Sequence, residues 1–308
     1  MESQTIKGRD EGRRGMWTLA IIFGGLFLLF FAFASLILRS LAPEPLGKNR
    51  IGVIEIHGPI LSADQIIQDL EDFVRDEEIK GILVRIDSPG GSVSASQEIY
   101  EAVKRAANKK KLVISMGNIA ASGGFYIACA SKPVFANAGT ITGSIGVISQ
   151  TFDIHKATEN LGLAVNTMKS GAAKDIGNPF REMTEPERAL YLQLIVGIYD
   201  QFVRAVADGR GLDYETFKRS PLVDGRVFSG ADAKAAGLVD HLGGMQAAID
   251  FLAEELKFED RPTLIYPERA NLGWLRQLVS EGAHSVRQEI GQAMAPALEF
   301  RYAGPFSQ

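Results

Sequence analysis

Hydrophobic and polar positions alternate along the chain in a pattern that predicts strands separated by helices. Runs rich in β-branched residues at 51–56, 81–87 and 112–118 have the length and composition of buried strands. Residues 63–75 and 94–108 instead carry apolar side chains at the three- and four-residue spacing of a helix with one buried face. Strands that alternate with helices are typical of an α/β fold with parallel strands.

Shorter strands and one long helix are predicted further along. Residues 133–139 and 144–149 are candidates for two short strands. Thr184 is followed three residues later by Glu187, which is the composition of a capping box at a helix start. We expect the helix that begins there to end at Gly209, because glycine is common where helices stop.

An apolar run at residues 17–38 precedes this pattern. It contains 22 residues without a charge, and about 20 suffice to cross a bilayer as a helix. We therefore expect a transmembrane helix, with a tail at 1–16 before it and a proline-containing linker at 39–49 after it. A cleaved signal peptide is the alternative, because the small residues at 32–35 resemble a cleavage site. The apolar run continues past that site, which favours an uncleaved anchor.

Charges around the apolar run bear on its orientation. Four basic residues lie within 7–14 and three within 39–50, so the positive-inside rule favours a cytoplasmic N-terminus. The expected arrangement is a single-pass membrane protein with its main domain on the side opposite the cytoplasm. That domain is expected to cover residues 50–258, and the C-terminal tail, 259–308, to be partly helical or flexible.

Composition narrows the classes of function. The 308-residue chain has a formal net charge of −4 and no dense basic patch, which argues against nucleic-acid binding. The single cysteine, Cys129, lies in an apolar run and is interpreted as a small buried hydrophobe. The four histidines lack the spacing of metal ligands. We expect no metal and no cofactor.

Two turns rich in small residues follow predicted strands and are candidate sites. In the first, residues 87–92, Gly90 and Gly91 present N–H groups that could hold a phosphate or the oxyanion of a tetrahedral intermediate. In the second, residues 118–130, Ser122 precedes two glycines, where a nucleophile would be exposed and a substrate backbone could come close. The alternative interpretation of the first turn is a tight strand-to-helix connection, and that of the second is a simple turn or a close contact between helices.

A serine nucleophile also needs an activating base. None of the histidines is an evident partner, whereas Lys169 and Lys174 lie in a small, glycine-containing loop at 168–180. A lysine base must be neutral although free lysine has a pKa of about 10.4, so burial among apolar groups would have to favour the neutral form. For either lysine the alternative is a solvated surface side chain.

Four stretches taken together resemble the bacterial signal peptide peptidases of the SppA type. They are RIDSPGGSV (85–93), GNIAASGGFYIA (117–128), TGSIGV (142–147) and MKSGAAKDIGNPFREMT (168–184). Their order and separations agree with the short, single-domain form of that family, over about residues 50–256. The resemblance implies a ClpP/crotonase-like α/β fold and a Ser/Lys protease.

The same resemblance implies roles for five residues. Ser122 corresponds to the nucleophile and Lys174 to the general base. Ser144 corresponds to the serine that orients the base. Gly90 and Gly91 correspond to the oxyanion-hole turn, and which of the two donates stays open.

The resemblance further implies a membrane-anchored serine endopeptidase that degrades remnant signal peptides. Its partners would be peptide substrates, membrane lipid and further copies of itself. The short form is expected to be a homo-oligomer, an octamer, whose active sites combine Ser and Lys from adjacent subunits. A crotonase-like acyl-CoA enzyme and a catalytically silent membrane scaffold of the same fold are the alternatives. Retention of both Ser122 and Lys174 argues against the scaffold.

Overall fold

The computed structural model describes residues 27, 29–31, 33, 49–267 and 299–301. The chain divides into two units, Met1–Gly47 and Lys48–Gln308. In the first unit the five described residues are helical and exposed. No helix within the described residues is long and apolar enough to cross a bilayer. The predicted span at 17–38 falls mostly outside those residues, and the tail at 1–16 falls wholly outside them.

The second unit alternates strands and helices as the sequence pattern predicts. The described strands are β1 (Arg50–His57), β2 (Ile79–Ser88), β3 (Gly90–Ser92), β4 (Lys111–Ala121), β5 (Val134–Ala136), β6 (Ile141–Gly143), β7 (Val227–Ser229), β8 (His241–Leu242), β9 (Thr263–Ile265) and β10 (Glu299–Arg301). The described helices are α1 (Asp64–Arg75), α2 (Val93–Ala107), α3 (Gly123–Ala128), α4 (His155–Asn160), α5 (Glu185–Arg210), α6 (Tyr214–Lys218), α7 (Gly230–Ala235) and α8 (Met245–Glu255).

One mixed sheet organises this unit. Its strand order is β7-β6-β4-β2-β1-β9, with β5 beside the first half of β4 and β8 beside β5. All of these neighbours are parallel except β6 and β7, which are antiparallel. The prediction of an α/β fold is confirmed, and the mixed sheet fits a ClpP-like fold.

Helices cover both faces of the sheet. Along β1, Ile54 and Ile56 belong to one buried cluster, whereas Ile51 and Val53 belong to a second cluster that packs against α8. Strands buried on both faces need apolar residues at successive positions. This accounts for the nearly continuous apolar runs in β1, β2 and β4.

The long helix α5 begins as predicted, with a capping box between Thr184 and Glu187. It ends one residue later than predicted, because Gly211 takes the left-handed conformation that stops it. Gly209 has a packing role instead, since a Cβ there would strike the carbonyl oxygen of Cys129. Capping chemistry identified the start, and contacts distant in sequence explain the glycine near the end.

The strand predicted at 144–149 is wrong. The observed strand is β6, residues Ile141–Gly143, and 144–147 have no regular structure. β6 ends at Gly143, whose φ is 81°, and the next residue, Ser144, has a φ of 52°, which lies outside the extended region of a strand. The apolar run at 145–148 continues as irregular chain beside a cavity.

The sheet also extends beyond the predicted boundary at residue 258. β9 pairs in parallel with the start of β1. Further along, β10 pairs antiparallel with β3. The segment 259–308 thus contributes strands on both sides of the region not described, 268–298.

Candidate active site

Ser122 lies in the one-residue turn between β4 and α3. Its φ of 54° and ψ of −119° are strained for a residue with a side chain, at a cost of about 1–3 kcal/mol. Two backbone hydrogen bonds hold it there: Ser122 N–H donates to Gly143 O at 2.8 Å, and Tyr126 N–H donates to Ser122 O at 2.8 Å. Backbone strain of this kind is concentrated at functional sites.

The Ser122 hydroxyl is buried and unpaired. The residue is 1% exposed, and its Oγ has no hydrogen-bond partner within the described part of the chain. A buried polar group without a partner costs about 1–3 kcal/mol. Such a group requires an explanation. One explanation is that the Ser122 hydroxyl acts as the predicted nucleophile.

The glycine turn lies beside Ser122. Gly90 N–H already donates to Ser88 Oγ at 3.1 Å. Ile60 N–H donates to Gly90 O at 2.9 Å, and Ser92 N–H donates to Ile60 O at 2.8 Å. Because successive residues of a strand direct their backbone groups to opposite sides, the N–H and C=O of Gly91 face away from Ile60. Of the two glycines, Gly91 is therefore the one whose backbone faces the edge of β3 opposite Ile60.

Both glycines after Ser122 are required by packing within the chain. A Cβ at Gly123 would strike Ser96 Oγ and lie 3.3 Å from Gly91 N, and a Cβ at Gly124 would lie 2.9 Å from Ser88 O. The bare backbone was predicted to leave space for a substrate. The structure fills that space with the glycine turn, and the Gly91 amide nitrogen would lie 3.3 Å from a Cβ at Gly123, the residue after Ser122.

Ser144 directly follows β6, the strand next to β4. Ala121 and Gly143 are paired across β4 and β6, so Ser122 and Ser144 follow directly opposed residues. Ser144 is 7% exposed and its N–H donates to Arg226 O at 2.8 Å. The structure thus brings Ser144 to the same end of the sheet as Ser122 and the glycine turn.

A cavity of about 620 Å³ opens next to Ser144. Its walls are mostly apolar and include Ile145, Ile148, Val196 and Tyr199. It has the size and chemistry to receive large apolar side chains.

The two candidate bases, Lys169 and Lys174, make different contacts. Lys169 Nζ donates to Ala172 O at 2.9 Å and pairs with the carboxylate of Asp175. Lys174 is exposed, and its backbone N–H donates to Gly171 O at 3.1 Å. Since Ser122 Oγ bonds to none of the described residues, Lys174 included, the contact between nucleophile and base remains a prediction.

An ion-pair network anchors the loop that carries Lys174. Arg181 Nε donates to Asp175 Oδ2 at 2.9 Å, and Arg181 Nη1 donates to Glu187 Oε2 at 2.8 Å in the capping box of α5. Hydrogen bonds from this guanidinium lower the pKa of Asp175 far below its ordinary range and that of Glu187 to about 2. Both carboxylates therefore stay charged at every pH at which a lysine could act as a base.

The model of Peptidase family S49 matches residues 104–259. The chain belongs to peptidase family S49. A putative signal peptide peptidase SppA of Enterococcus faecium is 35% identical over 97% of this chain and 93% of its own length. A putative protease of Synechocystis sp. is 42% identical over 67% of this chain and 74% of its own. The chloroplastic serine protease SPPA of Arabidopsis thaliana is 33% identical over 64% of this chain and 29% of its own. The S49 chain is thus a serine peptidase of the SppA family.

This S49 peptidase exposes many large apolar side chains in the segment that contains Lys174. Within 148–196 the exposed apolar residues are Ile148, Phe152, Ile154, Leu161, Leu163, Val165, Met168, Phe180, Leu190, Leu192, Leu194 and Val196. So many large exposed apolar side chains in one segment are typical of an interaction surface. We call residues 148–196 the apolar segment.

In the S49 peptidase, strand β10 lies along the edge of the glycine turn that the Gly91 backbone faces. Residue 300 of β10 pairs with Gly91, residue 299 with Ser92 and residue 301 with Gly90. The backbone groups of Gly91 face this side, so residue 300 is the position that exchanges ladder hydrogen bonds with it. The edge beside Ser122 therefore accepts an extended chain.

Sequence reasoning did not single out Ser88, which is fully buried and binds the Gly90 amide. A serine two residues before a backbone N–H is the spacing of a local serine turn. That spacing within SPGG was the available signal.

Proposed function

We propose that this peptidase is a membrane-anchored endopeptidase that uses Ser122 and Lys174 to degrade remnant signal peptides. The observation that carries the proposal is the buried, unpaired Ser122 hydroxyl in a strained turn beside Gly91 and Ser144. The uncharged run at 17–38 supports the anchor. An anchored protease domain on the outer face of the inner membrane would meet signal peptides where they are released.

The proposed mode of substrate binding is strand addition. A peptide pairs antiparallel with Gly90–Ser92, as residues 299–301 of the chain itself do. Alternate side chains of such a peptide point to the same side, and the apolar cavity beside Ser144 receives one of them. The apolar core of a signal peptide supplies such side chains.

The proposed mechanism is acyl transfer. Neutral Lys174 Nζ takes the proton from Ser122 Oγ, which attacks the peptide carbonyl carbon. The resulting oxyanion accepts hydrogen bonds from the glycine turn and from the amide that follows Ser122. Lys174 then gives the proton to the leaving amine, and the C–N bond breaks. A water molecule, deprotonated by Lys174, hydrolyses the acyl-enzyme and restores Ser122.

The base is proposed to come from an adjacent subunit. Lys174 is exposed in the chain, and the apolar segment around it needs a covering surface. A homo-oligomer, expected to be an octamer, buries this segment between copies and desolvates the lysine, which favours its neutral form. Ser144 would then orient the incoming amine.

The function is tested with a synthetic signal peptide. The protein should cleave the isolated peptide in its apolar core and leave the same sequence intact within a folded preprotein, because only an extended chain can pair with β3. Labelling of Ser122 by a serine-reactive phosphonate would accompany this result. Binding of CoA thioesters without peptide cleavage would instead support a crotonase-like enzyme, and failure of both reactions would support a silent scaffold.

Strand addition also predicts competition between a peptide and β10. Proline at residue 300 removes the N–H that pairs with Gly91, worth about 0.5–1.5 kcal/mol per backbone hydrogen bond. We expect Phe300→Pro to lower KM for a peptide by roughly 2- to 10-fold with kcat unchanged.

Glu299→Pro is the matched control, because the N–H of residue 299 faces away from β3. Peptide titrations of both variants and the wild type measure the difference. Equal KM values for all three proteins would show that peptides bind elsewhere.

A further inference from the structure

The strand that leads to Ser122 contains a two-residue irregularity. Ile86 of β2 pairs with Met116 of β4, yet two residues later Ser88 pairs with Ala120. Over this interval β2 advances by two residues, 86 to 88, whereas β4 advances by four, 116 to 120. β4 therefore bulges over residues 117–119.

This bulge determines which residues face Ser122. Each strand residue advances the chain by about 3.3 Å. In a regular ladder Ser88 would pair with residue 118, and Ser122 would lie about 7 Å farther along the sheet, beyond the glycine turn. The two extra residues bring Ser122 back to the level of Gly90, where the Gly91 amide lies against α3.

Asp87 binds the bulge at two points. Its Oδ1 accepts from the backbone N–H of Ile119 at 3.1 Å, and its Oδ2 accepts from Asn118 Nδ2 at 2.9 Å. Gly117 admits the carboxylate, because a Cβ at that residue would lie 2.7 Å from Asp87 Cγ. On another side, Thr140 Oγ1 donates to Gly117 O at 2.7 Å. Asp87 thus supplies the acceptor for the bulge amide and for the side chain beside it.

We propose that Asp87 is a positioning residue of the peptidase reaction, acting through the bulge at 117–119 to align Ser122 with the glycine turn. The inference rests on the proposed function of Ser122. Asp87 touches neither Ser122 nor the peptide strand; its effect is on geometry. A displacement of about 1 Å at a reacting group can cost on the order of 100-fold in rate.

The test exchanges the side chains of Asp87 and Asn118. In Asn118→Asp, two carboxylates face each other, and in Asp87→Ala, Ile119 N–H and the Asn118 amide both lose their acceptor. Each single variant should lower kcat by roughly 10- to 100-fold with KM within about twofold of wild type. The double variant D87N/N118D again places a donor against an acceptor and keeps an oxygen for Ile119 N–H. It should recover kcat to within about threefold of wild type, a coupling that independent sites do not show.

Three controls make the result decisive. Asp250→Asn removes an exposed α8 carboxylate that binds Gln246 and should leave kcat unchanged. Melting temperatures of all variants separate misalignment from unfolding. Asn118 is exposed, so Asn118→Ala will fold even if Asp87→Ala does not, and should lower kcat severalfold.

Each outcome bears on the inference. Wild-type kcat in the Asn118 variants, or a double variant no better than Asn118→Asp alone, would overturn it. Either result leaves the proposed function intact as long as wild type cleaves the peptide and Ser122→Ala does not. Equal cleavage by wild type and Ser122→Ala would remove the proposed function itself.

Discussion

Ser122→Ala should lower kcat for peptide cleavage by about 10⁴- to 10⁶-fold, the range found when a serine protease loses its nucleophile. The variant should nevertheless fold, and it should be as stable as the wild type or more so. Because Ser122 Oγ is buried with no partner in the described part of the chain, its removal eliminates an uncompensated polar group, worth about 1–3 kcal/mol. The strained backbone of residue 122 stays in both proteins.

A buried serine with a partner provides the contrast. Ser115 is also fully buried, and its Oγ accepts from Arg85 Nη1 at 2.8 Å. Ser115→Ala should lower the melting temperature, whereas Ser122→Ala should hold or raise it. Peptide turnover and thermal unfolding of the two variants give both comparisons. Full turnover by Ser122→Ala would exclude this residue as nucleophile.

Lys174→Met should lower kcat by on the order of 10³- to 10⁴-fold, because a serine hydroxyl without a base is a weak nucleophile. Lys169→Met is the matched control. It alters the same loop, but Lys169 Nζ is committed to Ala172 O and Asp175, so we expect a much smaller loss. Similar losses in both variants would indicate that the loop, and not the Lys174 amine, supports activity.

The pH profile provides a second measurement of the base. Wild-type activity should rise with pH, because only a lysine without its extra proton can accept one from Ser122. Asp175 and Glu187 have lowered pKa values. Their contribution to loop stability is complete above the carboxyl pKa values of the unfolded chain and is lost only as pH falls through the lower folded values. The rise of activity with pH therefore reports the base and not the ion pairs that hold its loop. A flat profile would contradict a lysine base.

Mixing the two inactive variants tests whether subunits share a site. If Ser122 of one copy uses Lys174 of the next, random assembly of equal amounts of Ser122→Ala and Lys174→Met restores about one quarter of the sites in a closed ring. A site contained in one copy would stay inactive in every mixture. Activity after subunit exchange distinguishes the two arrangements directly.

Strands buried on both faces and the start of the long helix were predictable from the sequence. The runs in β1, β2 and β4 were recognised because a strand buried on both faces must be apolar at almost every position. The start of α5 was recognised because a capping box is local, with Thr184 and Glu187 three residues apart. The position of β6 was missed because positive φ values at Gly143 and Ser144 depend on contacts with Arg226 and the neighbouring strand.

The amino-acid sequence by itself determined the α/β class, the family motifs and the candidate nucleophile, because these depend on local periodicity and on residues close together in the chain. Only the tertiary structure decided which glycine faces the edge of β3 opposite Ile60, that Lys169 is engaged in an ion pair, and that Asp87 meets an amide 32 residues away. These features depend on strand register and on packing between distant segments. A short window of sequence contains neither.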